Sequence, residues 1–476
     1  MRRLGTVFFL LVTLGLTVRL YAGSWPQFRG PGGTGVADMD GPLPAQLGPK
    51  QNVIWKVALP PGHSSPVVHG DRIFVTAVRD KKLLTMGLDR KTGEVLWEAV
   101  APYKQLERIH AIGSHAQSTP ATDGKHVVSF FGSSGLLCYH VDGKLLWHRP
   151  MGPFKNTLGA GSSPIIVGDR VILNQDHDLD SFLLAVDVRT GNTIWKTDRS
   201  EFPVGYASPV IWNVNGKKQI VVAGTLRVVG YDLDTGKEVW TVHGMARAVH
   251  MTPSVGPDGT LYAAGWTGGG DADDRFDVPT FEEMLARHDK NKNGTLENDE
   301  LPEGPLKQRF ELIDRDKDSH IVKAEYDFMK RVFDAAHNRM LALKPGGVGD
   351  ISKTHVLWSQ RRYLPVVSSP LYYKDHIFLA RSGGLLTTLD AKTGKPVRTE
   401  RLPGAGGDYY ASPVAGDGKV YLLSQSGNLT VVSGEGQWQV LGKARFGEEV
   451  FATPAIVDGR LYLRTAGHLY CFGGRR

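Results

Sequence analysis

The chain has 476 residues, 57 of them glycine, and a formal net charge of +7. Glycine at that level, with no Gly-X-Y period or low-complexity tract, points to many tight turns between short strands. The charge is too small to argue for a nucleic-acid partner, and no Lys/Arg run or RNA-binding motif supports one, so that class is set aside.

Residues 1–22 read as an export signal. Arg2 and Arg3 make a positive start, residues 4–18 are apolar apart from Gly and Thr, and Ala22 offers a small residue for cleavage before Gly23. The apolar stretch is shorter than the roughly 18 residues a spanning helix needs. The expectation is a soluble periplasmic or secreted protein with no stable membrane span. Removing Arg2, Arg3 and Arg19 leaves +4 on the mature chain.

From residue 65 onward one dipeptide recurs. Ser/Thr-Pro stands at Ser65-Pro66, Thr119-Pro120, Ser163-Pro164, Ser208-Pro209, Thr252-Pro253, Ser369-Pro370, Ser412-Pro413 and Thr453-Pro454. The steps between prolines are 54, 44, 45, 44, 117, 43 and 41 residues. Each dipeptide precedes an apolar strand, a turn and a second strand, and proline is tolerated at a strand's start because no ladder bond is lost there. A second signature ends most units, most plainly Ala185-Val-Asp187-Val-Arg-Thr190-Gly191-Asn-Thr-Ile-Trp195. Residues 87–97 and 230–240 repeat it at the same spacing, residues 138–147 are one shorter, and residues 388–398 end on Arg398 instead of Trp. Aspartate caps a turn, Thr-Gly supplies its dihedrals, and tryptophan fills the space between sheets.

A fixed period of this length signals a repeat architecture. Eight units of about four strands predict an all-β, eight-bladed β-propeller. The eighth unit lacks its last strand, which residues 52–59 (Asn-Val-Ile-Trp-Lys-Val-Ala-Leu) are placed to supply. That N-terminal strand closes the ring and removes two sheet edges. Cys138 and Cys471 share one repeat position in blades two and eight, too far apart for a disulfide, and are expected as buried free thiols.

The 117-residue step marks an insertion in the fifth blade. The chain divides into a signal (1–22), propeller (23–266), a small α-helical insertion (267–338) and propeller again (339–476). Within the insertion, residues 289–300 place oxygen donors at Asp289, Asn291, Asn293, Thr295 (by its carbonyl), Glu297 and Glu300, with Gly294 at the sharp turn. Calcium takes six to eight such hard oxygens. Thr280 and Glu283 form a capping box for the entering helix. A second loop follows 25 residues later with Asp314, Asp316, Asp318, His320 (by its carbonyl) and Glu325. It carries Ser319 where glycine is expected, and Val322 offers no side-chain oxygen. Leu296 and Ile321 hold equivalent positions, where paired loops exchange a short β contact. The segment resembles an EF-hand pair, and calcium is the expected ligand.

The Ala-x-Asp-x-x-Thr-Gly-x-x-x-Trp pattern resembles the pyrroloquinoline-quinone (PQQ) repeat. That repeat is found in quinoprotein dehydrogenases and in the propeller subunit of the outer-membrane protein assembly machine. The opening Trp25-Pro-Gln-Phe-Arg-Gly-Pro31 resembles exported bacterial propellers of this class. The resemblance implies two functions: a PQQ-dependent dehydrogenase of an alcohol or sugar, or a non-enzymatic binding or scaffolding protein. Many of the dehydrogenases carry a disulfide between adjacent cysteines, which two cysteines at positions 138 and 471 cannot form. PQQ is therefore not expected, and no catalytic residue is assigned. The segments before each Ser/Thr-Pro converge near the central opening and carry His63, His110, His115, Tyr206, His250, Arg361, Arg362, Tyr409 and Tyr410. Of these, His63, His115 and His250 are the candidates for binding a metal or an anionic ligand. The remaining partner is a protein or small molecule at the propeller loops.

Overall fold

A computed structural model describes residues 23–37, 41–177, 179–271 and 277–474, so the expected export signal at 1–22 lies outside the described residues. Eight sheets of four or five strands follow one another along the chain. Blade 3 is typical, running outward through Ile165–Val167, Arg170–Gln175, Phe182–Asp187 and Thr193–Asp198. Its middle strands are buried almost throughout, because both faces pack on neighbouring blades, whereas the last alternates with solvent. Ring closure follows the expected route. Val53–Ala58 pairs antiparallel with His468–Gly473, Trp55 facing Cys471, and completes blade 8.

The repeat signature is a staple between blades. Asp187 Oδ1 accepts the amides of Arg189 and Thr190 and the Thr190 hydroxyl, and Asp89, Asp232 and Asp390 hold their turns with Thr92, Thr235 and Thr393 in the same way. The indole that ends one blade then lies on the turn glycine of the next. Trp147 covers Gly191, where a Cβ would sit 2.8 Å from the ring, and Trp55, Trp97, Trp195 and Trp358 cover Gly93, Gly143, Gly236 and Gly394. Each of these indoles also donates its N–H to the carbonyl just after that turn's first residue, at 2.8–3.1 Å. Arg398, which replaces the tryptophan of blade 6, stacks on Trp438 instead, its guanidinium carbon 4.2 Å from the ring centre. Trp240 departs from the pattern. It turns inward against Trp212 and donates to Gln219, and blade 4 gains the parallel strand Gly349–Asp350 at its outer edge.

Blade 5 is interrupted between its second and third strands, Leu261–Gly265 and Arg339–Leu343, which pair with each other. The intervening segment forms α1 (Phe281–His288), α2 (Pro305–Gln308), α3 (Phe310–Ile313) and α4 (Lys323–Ala335). It has its own core, in which Phe281, Met284, Leu296, Phe310, Ile313, Ile321, Tyr326 and Met329 are buried together. No helix among the described residues is long and apolar enough to cross a membrane.

Candidate functional site: the funnel and the lobe seated over it

The first described residues close one end of the central channel. Ser24–Trp25 adds to the inner edge of blade 1, and the carbonyl of Pro26 accepts the Thr122 amide of blade 2. Arg29 reaches the carbonyls of Thr252 and Pro370 in blades 5 and 6, and Gly35 and Ala37 pair with Ala415 in blade 7. The Trp-Pro-Gln-Phe-Arg-Gly-Pro motif is thus a plug. Its turn requires Gly30, at φ 69°, because any Cβ there would run into the Trp25 indole.

Above the plug the eight Ser/Thr-Pro hydroxyls form a closed ring. The amide of Ser65 donates to Thr119 Oγ1, that of Thr119 to Ser163 Oγ, and so on through Ser208, Thr252, Ser369 and Ser412 to Thr453, whose amide donates back to Ser65. All eight bonds measure 2.9–3.1 Å. The residue before each proline must therefore carry a hydroxyl, since it accepts the amide that would otherwise be orphaned at an innermost strand. The ring and Phe28 form the base of a cavity of about 170 Å³.

Of the residues expected at this opening, His63, Tyr206, His250 and Tyr410 line the cavity. His63 stacks on Phe451 at 3.8 Å between centroids, and His250 on Tyr206 at 4.8 Å. Burial, and for His63 the nearby Arg464, lowers both imidazoles to about 4, so they are neutral at pH 7. His115 is half-buried outside the lining, and burial lowers it as well. His110 sits in an adjoining cleft, and Arg361 and Arg362 line another beside Trp266 and Arg381. Tyr409 is buried and donates to the Ala405 carbonyl. The histidines thus do not gather into one ligand set. Phe28, Phe451 and the hydroxyl ring were missed, although the invariable Ser or Thr before each repeat proline was a signal in plain view.

The helical lobe stands at the funnel mouth. Lys155 of the propeller meets Glu311 at 3.2 Å, Arg315 donates to the Ser200 carbonyl, and Arg247 lies 4.6 Å from the centre of the Phe333 ring. Between lobe and propeller runs a groove of about 420 Å³, with Leu312, Phe328, Met329 and Val332 on the lobe side. Leu158, Tyr206 and His250 line both groove and funnel, so the two cavities share a wall.

In the first loop Asp289 accepts the amides of Asn293 and Gly294, while Glu300 accepts those of Lys290 and Glu297. Gly294 has φ 82° and Ser319, its counterpart in the second loop, φ 70°, so the serine adopts the backbone that glycine adopts freely. Carboxylate oxygens of Asp314, Asp316 and Glu325 lie within 4.8 Å of one another. Leu296 and Ile321 exchange two backbone hydrogen bonds of 3.2 and 2.9 Å. The imidazole of His320 reaches across to Glu297 at 2.8 Å, a link between the loops that spacing alone did not reveal. Asn291 and Asn293 bond to Glu297, Thr295 to Asn293, and Asp318 accepts the His320 amide. Three carboxylates thus converge in the second loop, whereas in the first the amide nitrogens of Asn291 and Asn293 turn to Glu297.

A family model described as outer membrane protein assembly factor BamB matches residues 48–157, 87–269 and 348–476. Among solved structures, BamB from Moraxella catarrhalis is 14% identical, covering 89% of this chain and 99% of that one, with a TM-score of 0.57. The computationally designed Ika8 protein is 11% identical, covering 89% of this chain and 100% of that one, with a TM-score of 0.55. A europium-containing methanol dehydrogenase is 11% identical at 86% and 89% coverage, with a TM-score of 0.42. No individually curated protein matches the chain in sequence.

Proposed function

The chain belongs to the family described as outer membrane protein assembly factor BamB, and from that premise we propose that it is an exported, calcium-binding, non-enzymatic propeller that binds a partner through the face carrying the helical lobe. The observation that carries this reading is the shared wall of Leu158, Tyr206 and His250, which makes lobe, groove and funnel one continuous surface. The family's description, as an assembly factor, favours a protein partner. A periplasmic or secreted location accords with the apolar N-terminal run.

The oxygen sets of the two loops support calcium. Asp289, Asn291, Asn293, the Thr295 carbonyl, Glu297 and Glu300 would hold one ion, and Asp314, Asp316, Asp318, the His320 carbonyl and Glu325 the other. The alternative, a PQQ-dependent dehydrogenase, fits the funnel poorly. Among the described residues no Asp or Glu lines it, so no carboxylate there would ligate calcium beside the cofactor or act as a base. Its volume of about 170 Å³ is also below the roughly 300–1,000 Å³ of ordinary cofactor sites. No catalytic step is derived.

Calorimetric titration of the full mature chain tests the reading. Calcium should bind with measurable heat, and Glu300→Gln should weaken the first site at least tenfold by removing a charge from its bidentate position. Silence at millimolar calcium would remove the calcium assignment. A PQQ titration followed by absorbance should stay flat, and tight binding with dye-linked alcohol oxidation would overturn the non-enzymatic reading.

A further inference from the structure

Among the described residues three guanidiniums are fully buried in the propeller, and their surroundings differ. Arg199 meets the carboxylate of Asp176 through two hydrogen bonds of 2.7 Å. Arg29 and Arg464 meet no carboxylate among the described residues. Arg29 donates to the carbonyls of Thr34, Thr252 and Pro370, and Arg464 to the carbonyl and Oγ of Ser64 and to the carbonyls of Thr76 and Pro60. Nε of both arginines finds no acceptor. Carbonyl dipoles solvate a cation but leave its charge uncancelled, and buried charges ordinarily have a counter-ion. Both arginines sit next to the hydroxyl ring. Thr252 belongs to it, Pro370 follows Ser369, and Ser64 precedes Ser65.

The ring is itself short of acceptors. Each of its eight oxygens accepts a backbone N–H, and none of the eight O–H hydrogens meets an acceptor among the described residues. All eight side chains are only 2–3% exposed, and all line the cavity. The described lining contains no carboxylate, and its neutral acceptors, Gln117 and the imidazoles of His63 and His250, carry no charge to set against the two arginines. Buried donors left unmade are costly, so something in the cavity must accept from them. Water alone would satisfy the hydroxyls but not the two cations.

We infer that the base of the funnel holds a small anion, a halide or a carboxylate-sized oxyanion, hydrogen-bonded by the ring hydroxyls and countering Arg29 and Arg464. A cavity of about 170 Å³ corresponds to about five or six waters at the roughly 30 Å³ each occupies in the liquid, so the ion shares the space with a few of them. The inference goes beyond the calcium reading and does not depend on it, because the loops lie in the lobe and the ring at the channel axis.

The test uses the full mature protein, prepared in a bulky organic anion and titrated with bromide or formate at constant ionic strength. The melting temperature should rise saturably with at least one of the two, and the arms tell a halide site from a carboxylate site. Ser412→Ala removes one donor and should raise the half-saturating concentration several-fold, whereas Ser412→Thr keeps the hydroxyl and should retain the response. The alanine variant also loses the acceptor for the Ser369 amide, so the anion response, and not the melting temperature itself, is the readout. Should that variant fail to fold, anomalous scattering from bromide-soaked wild-type crystals decides. A bromide peak within hydrogen-bond reach of the ring supports the site. Waters alone in the funnel, with no anion-dependent shift in either arm, would overturn it.

Discussion

Trp147 belongs to blade 2 by sequence and does its work on blade 3. Its ring covers Gly191 and its N–H donates to the Val188 carbonyl at 2.8 Å, so one side chain supplies both apolar contact and a hydrogen bond between sheets. Gly191 has no alternative there. Its φ of 71° disfavours a Cβ, and the indole occupies the space a Cβ would need. Gly191→Ala should therefore cost about 2–4 kcal/mol, left-handed strain and overpacking together. Urea unfolding measures this, with Gly168→Ala as the comparison. Gly168 shares a positive φ but has nothing within 4 Å, so it should lose only the backbone part.

The closing strand shows what an element adds beyond its residues. Val53–Ala58 joins ends of the chain more than four hundred residues apart, and without it blade 8 would end on the exposed edge of His468–Gly473. The two thiols report on that closure. Cys138 and Cys471 are both free and buried, each opposite a tryptophan of the adjacent strand, Trp147 and Trp55. Burial raises Cys138 to about 12 and Cys471 to about 11, so neither is a thiolate at neutral pH. Trp55→Ala should loosen the closing strand and let a thiol reagent label Cys471 much faster, while Cys138 stays protected. Mass spectrometry of the native variant after timed alkylation separates the two. Equal labelling would mean that the ring opens as a whole. The strand was legible beforehand because blade 8 was visibly short of a Trp-bearing strand and residues 52–59 had no other place. The plug was not, since nothing periodic marks residues 24–37, and the hydrogen-bond partners named above lie on five different blades.

At the scale of the whole molecule, lobe and propeller carry opposite charge. Residues 271–338 hold 18 acidic and 11 basic residues, a net of −7, which leaves +11 on the rest of residues 23–476. The seated lobe, with Lys155 against Glu311, matches that attraction. Two bound calcium ions would bring the lobe to −3, and about 0.1 M salt screens such charges over roughly 10 Å. Small-angle scattering at low and high salt, with and without calcium, should show the most compact particle at low salt without calcium. Four identical profiles would mean that apolar packing seats the lobe and calcium is structural. Blade number, ring closure and the site of the insertion were all decided by sequence, because each repeats or matches a pattern within a few tens of residues. The tertiary structure alone decided the two buried arginines without carboxylates, the split of the expected histidines, and the seat of the lobe on the funnel. Those depend on where eight blades converge, and convergence on a shared axis leaves no local mark in the chain.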